Sequence, residues 1–330
     1  MKDFKKRLCI EQLLATTELK EVNSSDVIRG LTQLPKTLPA KYFYDARGSQ
    51  LFEEICNLPE YYLTRTETAI LRHCADEIAS LTGACELVEL GSGSSTKTRI
   101  LLDAYNQLGK PLRYLPIDVS ESILESSTHA LLADYPCLQI HGLVSTYEIA
   151  LEKLAPSPLP TRMICFLGST LGNFHPQECD IFLLQIAKAL QKGDYFLLGI
   201  DLHKSKEIIE PAYNDSQGVT AAFNLNILNH LNWRFEGNFD TDEFEHWAFY
   251  NQELRQIEMH LRSKRSQTVY LRALDLKVEF SPGETIQTEI SRKFDLNIMY
   301  SDLQKRGLAP LKVWTDTKQW FALLLCQRQT

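Results

Sequence analysis

The apolar positions between residues 86 and 201 fall into short continuous runs that are separated by amphipathic stretches. A short apolar run is typical of a buried strand, whereas apolar positions three and four residues apart are typical of a helix. The runs predict strands at 86–90, 113–119, 138–144, 162–168 and 194–201. The amphipathic stretches predict helices at 98–107, 121–133 and 177–190. Strands that alternate with helices imply a parallel sheet with right-handed crossovers, which is an α/β fold.

The alternation ends after residue 201, and a different pattern follows. A long helix is predicted at 218–232, and several strand-like runs come after it. These runs lie at 243–250, 256–262, 268–271 and 286–294. Together they indicate an insertion of antiparallel strands. A helix at 299–307 and two strands, at 311–315 and 321–327, then complete the first sheet.

The residues ahead of the first sheet are less regular. Residues 1–40 are predicted to be mostly irregular, apart from a helix near 26–34. Ser49 is the expected N-cap of the next short helix. Thr64 and Glu67 fit a capping box for the helix that leads into the sheet.

The pattern predicts two domains. Residues 62–201 and 294–330 form the sheet domain in two parts. An N-terminal arm, 1–61, and the insertion, 202–293, form the second domain. We expect the functional site between the two domains, at the carboxyl ends of the parallel strands.

Composition excludes several classes of function. The 330 residues carry a net charge of −7 without a basic block, which argues against a nucleic-acid partner. The basic residues Lys2, Lys5, Lys6 and Arg7 are too few to form a binding tail. No apolar stretch reaches membrane-spanning length, and the N-terminus lacks the apolar segment of a signal peptide. The eight cysteines are scattered without a CxxC pair, which predicts reduced thiols in a cytoplasmic protein and no metal site.

A glycine turn marks a candidate cofactor site. Gly91-Ser92-Gly93 follows the first strand of the alternating region, and Asp118 ends the second strand. Glycine lets a ligand approach the backbone, and a carboxylate in that place can accept hydrogen bonds from both hydroxyls of a ribose. The third glycine of the dinucleotide fingerprint is missing, and Lys97-Thr98 does not have P-loop spacing. The pattern favours a ligand with an adenosine but no pyrophosphate, such as S-adenosyl-L-methionine.

Other candidate residues are ambiguous when taken singly. Asn173 follows the fourth strand, where this architecture faces the reacting centre, and it offers both a donor and an acceptor. Tyr61 is by itself more typical of a core residue, and Tyr213 of a surface residue. Glu289 and Ser291 share one face of a predicted strand, and that face is usually solvated.

Five longer motifs together resemble the histidine-specific Nα-methyltransferases, which make hercynine on the route to ergothioneine. The similarity runs from about residue 35 to the end of the chain. The wider family also contains tryptophan N-methyltransferases and domains fused to sulfoxide synthases. The first motif is an N-terminal signature in three parts, Lys41-Tyr42-Phe43-Tyr44-Asp45-Ala46-Arg47-Gly48-Ser49, Leu51-Phe52 and Leu58-Pro59-Glu60-Tyr61-Tyr62. The other four are Glu89-Leu90-Gly91-Ser92-Gly93, Phe166-Leu167-Gly168-Ser169-Thr170-Leu171-Gly172-Asn173, Ala273-Leu274-Asp275-Leu276 and Thr288-Glu289-Ile290-Ser291-Arg292-Lys293-Phe294.

The resemblance implies a class I (Rossmann-like) S-adenosyl-L-methionine-dependent methyltransferase sheet with a second α+β domain. It also implies roles for individual residues. The cofactor positions are Gly91, Lys97 and Asp118; the substrate carboxylate positions are Asn173 and Tyr213; the loop beside the amine contains Gly168 and Thr170; the imidazole positions are Tyr61, Glu289 and Ser291, with Met259 lining that pocket. Tyr44, acting through a water, is our hypothesis for the base.

The chain departs from many relatives in one loop. Those relatives carry Gly-Asp-Phe after the third strand, where the Asp reaches the adenine amino group. This chain has Gly142-Leu143-Val144-Ser145-Thr146-Tyr147 instead, closer to the Gly-Thr-Tyr-Asp form of other relatives. We therefore place Thr146 and Tyr147 among the cofactor-binding residues.

These observations predict trimethylation of the α-amino group of L-histidine, with S-adenosyl-L-methionine as donor and no metal. Glu289 and Ser291 favour histidine over tryptophan or another aromatic amino acid, which is the alternative within the family. A non-catalytic S-adenosyl-L-methionine-binding module is the alternative of a different class. We expect a monomeric chain with no nucleic-acid or membrane partner.

Overall fold

A computed structural model describes residues 4–13 and 16–329 of the chain. Its strands are β1 (Leu8–Gln12), β2 (Lys36–Thr37), β3 (Cys85–Leu90), β4 (Arg113–Asp118), β5 (Gln139–Val144), β6 (Thr161–Phe166), β7 (Tyr195–Asp201), β8 (Phe244–Asn251), β9 (Gln256–Ser263), β10 (Gln267–Leu271), β11 (Leu276–Phe280), β12 (Thr285–Arg292), β13 (Leu308–Thr315) and β14 (Phe321–Arg328). Its α-helices are α1 (Phe4–Arg7), α2 (Thr16–Thr32), α3 (Ala46–Cys56), α4 (Tyr62–Thr82), α5 (Thr96–Gln107), α6 (Glu121–Asp134), α7 (Tyr147–Lys153), α8 (Pro176–Ala189), α9 (Lys206–Ile209), α10 (Val219–Phe235) and α11 (Leu296–Lys305).

The large sheet has eight strands in the order β1-β5-β4-β3-β6-β7-β14-β13. The first six strands are parallel, and the β13–β14 hairpin pairs antiparallel with β7. This topology confirms the predicted class I, Rossmann-like α/β sheet. The five predicted parallel strands are correct to within two residues at each end. They are predictable because strands covered on both faces must be continuously apolar.

Helices cover both faces of the large sheet. Leu87 and Leu323 belong to a core cluster packed under α4 and α5. Val88 and Leu324 belong to a second cluster under α7, α8 and α11. Neighbouring residues of one strand enter opposite clusters because side chains alternate along a strand.

A smaller four-stranded sheet has the order β2-β12-β9-β8, and β10 pairs with β11 as a separate hairpin. The predicted antiparallel insertion is confirmed in these strands. Strand β11 was missed, because the charged residues Lys277 and Glu279 interrupt its apolar positions, whereas β10 has the strand-forming run Thr268-Val269-Tyr270-Leu271. A third core cluster joins this region to α2, α3, the start of α4 and α10.

The N-terminal prediction is wrong in two respects. Residues 8–12 form β1, which pairs in parallel with β5 at the edge of the large sheet rather than with the second domain. The helix predicted near 26–34 begins ten residues earlier, at Thr16. Strand β1 was missed because its apolar run, residues 8–10, is only three residues long and is followed by Glu11 and Gln12. Of the basic residues near the N-terminus, Lys2 lies outside the described residues.

Two predicted helix caps are also wrong. Asp45, not Ser49, caps α3, and its Oδ1 accepts a hydrogen bond from the Gly48 amide at 2.6 Å. Helix α4 begins at Tyr62 without a side-chain cap. Glu67, the expected partner of Thr64, is fully buried and points away from the helix terminus.

No helix within residues 4–13 and 16–329 is long and apolar enough to cross a membrane. All eight cysteines are free. In the same described ranges, no three His, Cys, Asp or Glu side chains are grouped so that they could hold a metal ion.

A buried carboxylate ties three strands together at their amino ends. Glu86 of β3 accepts hydrogen bonds from Arg113 Nε of β4 at 2.6 Å and from Arg162 Nε and Nη2 of β6 at 2.8 and 2.6 Å. Glu86 and Arg162 are 1% and 5% exposed. Buried charges are tolerated when each has a partner, so the loss of one leaves the others uncompensated.

We therefore expect Glu86→Ala to lower the free energy of unfolding by about 3–5 kcal/mol, because Arg162 is left buried without its carboxylate. Denaturant unfolding of the wild type and the variant measures this difference. Glu54→Ala is the matched control, since it breaks the exposed ion pair with Arg47 and should cost less than about 1 kcal/mol. Equal losses in the two variants would contradict the prediction.

Candidate active site

A pocket opens at the carboxyl ends of the parallel strands and brings together nine residues predicted from the sequence. They are Tyr44, Tyr61, Gly168, Thr170, Asn173, Tyr213, Met259, Glu289 and Ser291. The remaining lining residues were not singled out beforehand and are Phe52, Ile55, Leu63, Ser169, Ala212, Thr220 and Phe223. The pocket therefore combines an apolar, aromatic wall with a small set of polar groups, which is typical of a small-molecule site.

Glu289 is the acidic group of the pocket. It lies on β12 opposite Met259 of β9, just after an irregularity in the pairing of these strands. Ser291 follows two residues later and lines the same pocket, so the shared face is covered rather than solvated. Burial raises the pKa of the Glu289 carboxyl to about 7, although the positive charge of Lys293 acts in the opposite direction.

Ser291 belongs to a hydrogen-bonded group with Tyr213 and Lys293. The Tyr213 hydroxyl donates to Ser291 Oγ at 2.8 Å. Lys293 Nζ donates to Ser291 Oγ at 2.7 Å and to Tyr213 Oη at 3.0 Å. Tyr213 is only 5% exposed, so it is not a surface residue. Lys293 was missed, although it lies two residues after Ser291 and therefore on the same side of the extended chain.

Asp201, the last residue of β7, anchors this group through an ion pair with Lys293. Its carboxylate pairs with Lys293 at 2.9 Å and accepts a hydrogen bond from the Tyr62 hydroxyl at 2.7 Å. Lys204 pairs with its other oxygen. Burial raises the pKa of Tyr62 well above its usual value and lowers the pKa of Lys204 to about 8.

Two tyrosines form the aromatic side of the pocket. The ring of Tyr44 meets Phe52 and Phe223 edge-on at 5.7 and 5.9 Å, and Tyr61 meets Tyr213 at 6.3 Å. The Tyr44 residue is 42% exposed, yet desolvation at its pocket end, together with the charge of Glu289, raises the pKa of its phenol. A phenol with a raised pKa stays protonated at neutral pH. Its oxygen can orient a water or an amine but carries no negative charge.

The predicted cofactor residues surround the ends of β3 and β4. Asp118 Oδ2 accepts from the Gly93 amide and Oδ1 from the Ser120 amide, both at 3.0 Å. A carboxylate offers about four acceptor positions, so Asp118 can still accept two hydroxyls. Burial raises the pKa of Asp118 against the effect of those amides.

Gly91 brings the glycine turn against the loop that departs from many relatives. It has a φ of +70°, and a Cβ at this position would come within 2.6 Å of Tyr147 Oη. Tyr147 begins α7, and its ring packs edge-on against Phe166 at 5.6 Å. Thr146 is the N-cap residue of the same helix. The structure therefore places Thr146 and Tyr147 beside the turn.

Glu67 links Lys97 of α5 to the loop that begins at Gly168. This role was not predicted, since the sequence shows only that Glu67 lies on the apolar face of α4. Its carboxylate pairs with Lys97 Nζ at 2.6 Å and accepts the Gly168 amide at 2.8 and 2.9 Å. A Cβ on Gly199 would come within 2.1 Å of Glu67 Oε1, so glycine makes room for it in β7. Lys97, which is expected beside the cofactor, and Gly168, in the loop expected beside the amine, thus both bind the buried carboxylate of Glu67.

Comparison with known proteins identifies the family to which the chain belongs. A family model described as "Histidine-specific methyltransferase, SAM-dependent" matches residues 23–328. The chain is 44% identical to the histidine N-alpha-methyltransferase of Mycolicibacterium smegmatis over 97% of this chain and 99% of that protein. It is 42% identical to the protein of the same name from Mycobacterium tuberculosis, over 92% and 94%. A more distant relative is the L-tryptophan methyltransferase trpM of Psilocybe serbica, 28% identical over 90% of each chain. The family match covers most of the chain, so this protein belongs to the SAM-dependent, histidine-specific methyltransferase family.

Proposed function

We propose that the protein transfers three methyl groups in succession from S-adenosyl-L-methionine to the α-amino group of L-histidine, giving hercynine for ergothioneine biosynthesis. The observation that carries the proposal is that Glu289 and Ser291 line the same pocket, beside the 168–173 loop. A neutral imidazole has one N–H donor and one acceptor nitrogen. The Glu289 carboxylate can accept a hydrogen bond from the first, and the Ser291 hydroxyl can donate one to the second. The names of the two relatives above 40% identity support the same substrate.

The domain division is also part of the proposal. Residues 62–201 and 294–330 would hold the donor, and the arm 1–61 with the insertion 202–293 would recognise the acceptor. The core cluster shared by α3, α10 and the small sheet supports this division. Strand β1 is the exception, since it extends the large sheet.

The chain's residues would act mainly by positioning. The donor supplies a methyl group on a sulfonium, which is already a strong electrophile. Gly91, Lys97 and Asp118 would hold the donor, while Asn173 and Tyr213 hold the carboxylate of the acceptor. The amine lone pair then attacks the methyl carbon as the carbon–sulfur bond breaks, and alignment of this kind supplies much of the rate. The amine must lose its proton before each transfer, to a water that Tyr44 can orient, so the rate should rise with pH towards the pKa of the amine.

Three transfers to one nitrogen need space around the amine and a firm hold elsewhere. Glu289, Ser291, Asn173 and Tyr213 supply that hold at the two ends of the amino acid. Glu289 would also reject acceptors that lack an imidazole, because its buried carboxylate would be left unpaired. This is the physical basis for preferring histidine to tryptophan.

We propose a cytoplasmic, monomeric enzyme whose partners are small molecules. The net charge of −7 without a basic block supports the absence of a nucleic-acid partner, and the free thiols are consistent with a reducing compartment.

The decisive test of the function is methyl transfer from labelled S-adenosyl-L-methionine to each amino acid in turn, followed by mass spectrometry. We expect products that carry one, two and three added methyl groups with L-histidine. Transfer to tryptophan instead would identify the enzyme as a tryptophan methyltransferase. Donor binding with no transfer to any acceptor would favour a non-catalytic module.

Asp118 provides a test of the cofactor half. Asp118→Ala should weaken binding of S-adenosylhomocysteine about 10- to 150-fold, because a hydrogen bond to a charged group contributes about 1.5–3 kcal/mol. Isothermal titration calorimetry measures the affinity. Asp76→Ala, which removes an exposed carboxylate from α4, is the control and should bind normally. Unchanged affinity in Asp118→Ala would remove this residue from the cofactor site.

Glu289 provides a test of the acceptor half. Glu289→Ala should reduce kcat/KM for L-histidine by a factor that corresponds to about 2–4 kcal/mol of lost transition-state stabilisation, because the imidazole loses its carboxylate partner in a buried site. Steady-state kinetics measure the change. The same substitution at Glu279, an exposed residue of β11, should leave kcat/KM near the wild-type value. Wild-type kinetics in Glu289→Ala would refute its assignment to the imidazole.

A further inference from the structure

Lys293 is a fully buried cation that the proposed reaction does not yet use. Its ammonium touches two residues of the acceptor pocket, Tyr213 Oη at 3.0 Å and Ser291 Oγ at 2.7 Å. Its ion pair is with Asp201 at 2.9 Å, and both side chains are 0% exposed. An ammonium placed this deeply needs a reason, because the cost of removing it from water is large.

The charges around Asp201 do not cancel. One carboxylate is shared by two lysines, since Lys204 also pairs with Asp201. Tyr62 adds a hydroxyl and no charge. Asp201, Lys204 and Lys293 together therefore carry one surplus positive charge, and Lys293 is the member that contacts the pocket residues. Two further carboxylates act on these lysines through space: Asp316 on Lys204, and Glu289 on Lys293. Glu289, with its pKa raised to about 7, offsets the surplus only in its ionised form.

The residues expected to hold the substrate carboxylate are neutral. Asn173 and Tyr213 can donate hydrogen bonds but supply no charge. The ammonium of Lys293 donates a hydrogen bond to the Tyr213 hydroxyl oxygen at 3.0 Å. A hydroxyl that accepts from an ammonium becomes a better donor, and its own proton can turn from Ser291 towards an incoming carboxylate.

The backbone holds Lys293 in this place. The Phe294 amide donates to the Asp201 carbonyl at 2.8 Å, and the His203 amide donates to the Phe294 carbonyl at 2.9 Å. The residues after β12 therefore run along the end of β7. The ammonium is fixed by the junction of the two sheets rather than by a flexible loop.

We propose that Lys293 is a positioning residue whose charge, conveyed through the Tyr213 hydroxyl, balances the α-carboxylate of the acceptor. It would make the enzyme prefer an α-amino acid to analogues without a negative carboxylate. This inference rests on the proposed function, because it assumes that the pocket takes an amino acid.

The chain offers a matched pair of variants. Lys293→Met and Lys204→Met each remove one buried ammonium and leave Asp201 paired with the other lysine. Lys204 donates to Tyr62 Oη and to the Leu202 carbonyl, and it does not contact Tyr213 or Ser291. A general effect of losing a buried charge should appear in both variants, whereas an effect on the substrate carboxylate should be confined to Lys293→Met.

The measurement is the affinity for L-histidine and for L-histidinamide, which lacks the carboxylate charge, with S-adenosylhomocysteine bound. Lys293→Met should weaken L-histidine binding on the order of 30-fold or more, as expected when one member of a buried charge pair is removed. L-Histidinamide should change less than about 3-fold, so the preference for the acid falls. Lys204→Met should keep most of that preference.

Equal losses for the two ligands in Lys293→Met, or the same selective loss in Lys204→Met, would overturn the inference. If Lys293→Met fails to fold, Lys293→Gln keeps a donor for Tyr213 without the charge and should show the same selective loss. Failure of the proposed function would look different, because the wild type would then not methylate L-histidine. The same acid and amide comparison with whichever amino acid is methylated would still test Lys293.

Discussion

The buried carboxylate of Asp201 joins the two sheets, and the shape of the pocket proposed for the acceptor depends on this joint. It ends β7 of the large sheet, pairs with Lys293 just after β12 of the small sheet, and accepts the hydroxyl of Tyr62 at the start of α4. Charged groups are stable in the interior only when they are paired and hydrogen-bonded. Three elements from distant parts of the chain are therefore held in one relative position, and Tyr213 and Ser291 are placed with them.

Glu67 has the corresponding role on the donor side. Its carboxylate holds Lys97 of α5 and the amide of Gly168 after β6. The loop from Gly168 to Asn173 thus has a fixed start beside the predicted cofactor residues, while its later residues line the acceptor pocket. A reaction that depends on aligning a lone pair with a methyl group benefits from this kind of rigid support.

The sequence predicted the large sheet well, because strands buried on both faces need continuous apolar runs and helices need a 3.6-residue period. The predictions failed where the structure of a residue depends on a partner that is distant in the chain or on a competing neighbour. Strand β1 has an apolar run of only three residues, and its pairing with β5 makes it a strand. The N-cap of α3 is Asp45 and not Ser49, and both residue types are suited to capping. Glu67 matched a capping pattern, but burial against Lys97 gave it other partners.

By itself the sequence determined the alternating strands and helices from β3 to β7, the glycine turn with Asp118, and, through resemblance, a set of expected acceptor residues. Periodicity showed that Glu289 and Ser291 share a face, but it could not show whether that face is solvated or covered. Only the tertiary structure decided this, and only it paired Lys293 with Asp201 and buried Tyr213. The physical reason is that the alternation of side chains along a strand is a local property. The segments that pack over a strand face, and the charged residues that pair with its side chains, come from distant parts of the chain. Tyr62 and Asp201, for example, are 139 residues apart in the chain.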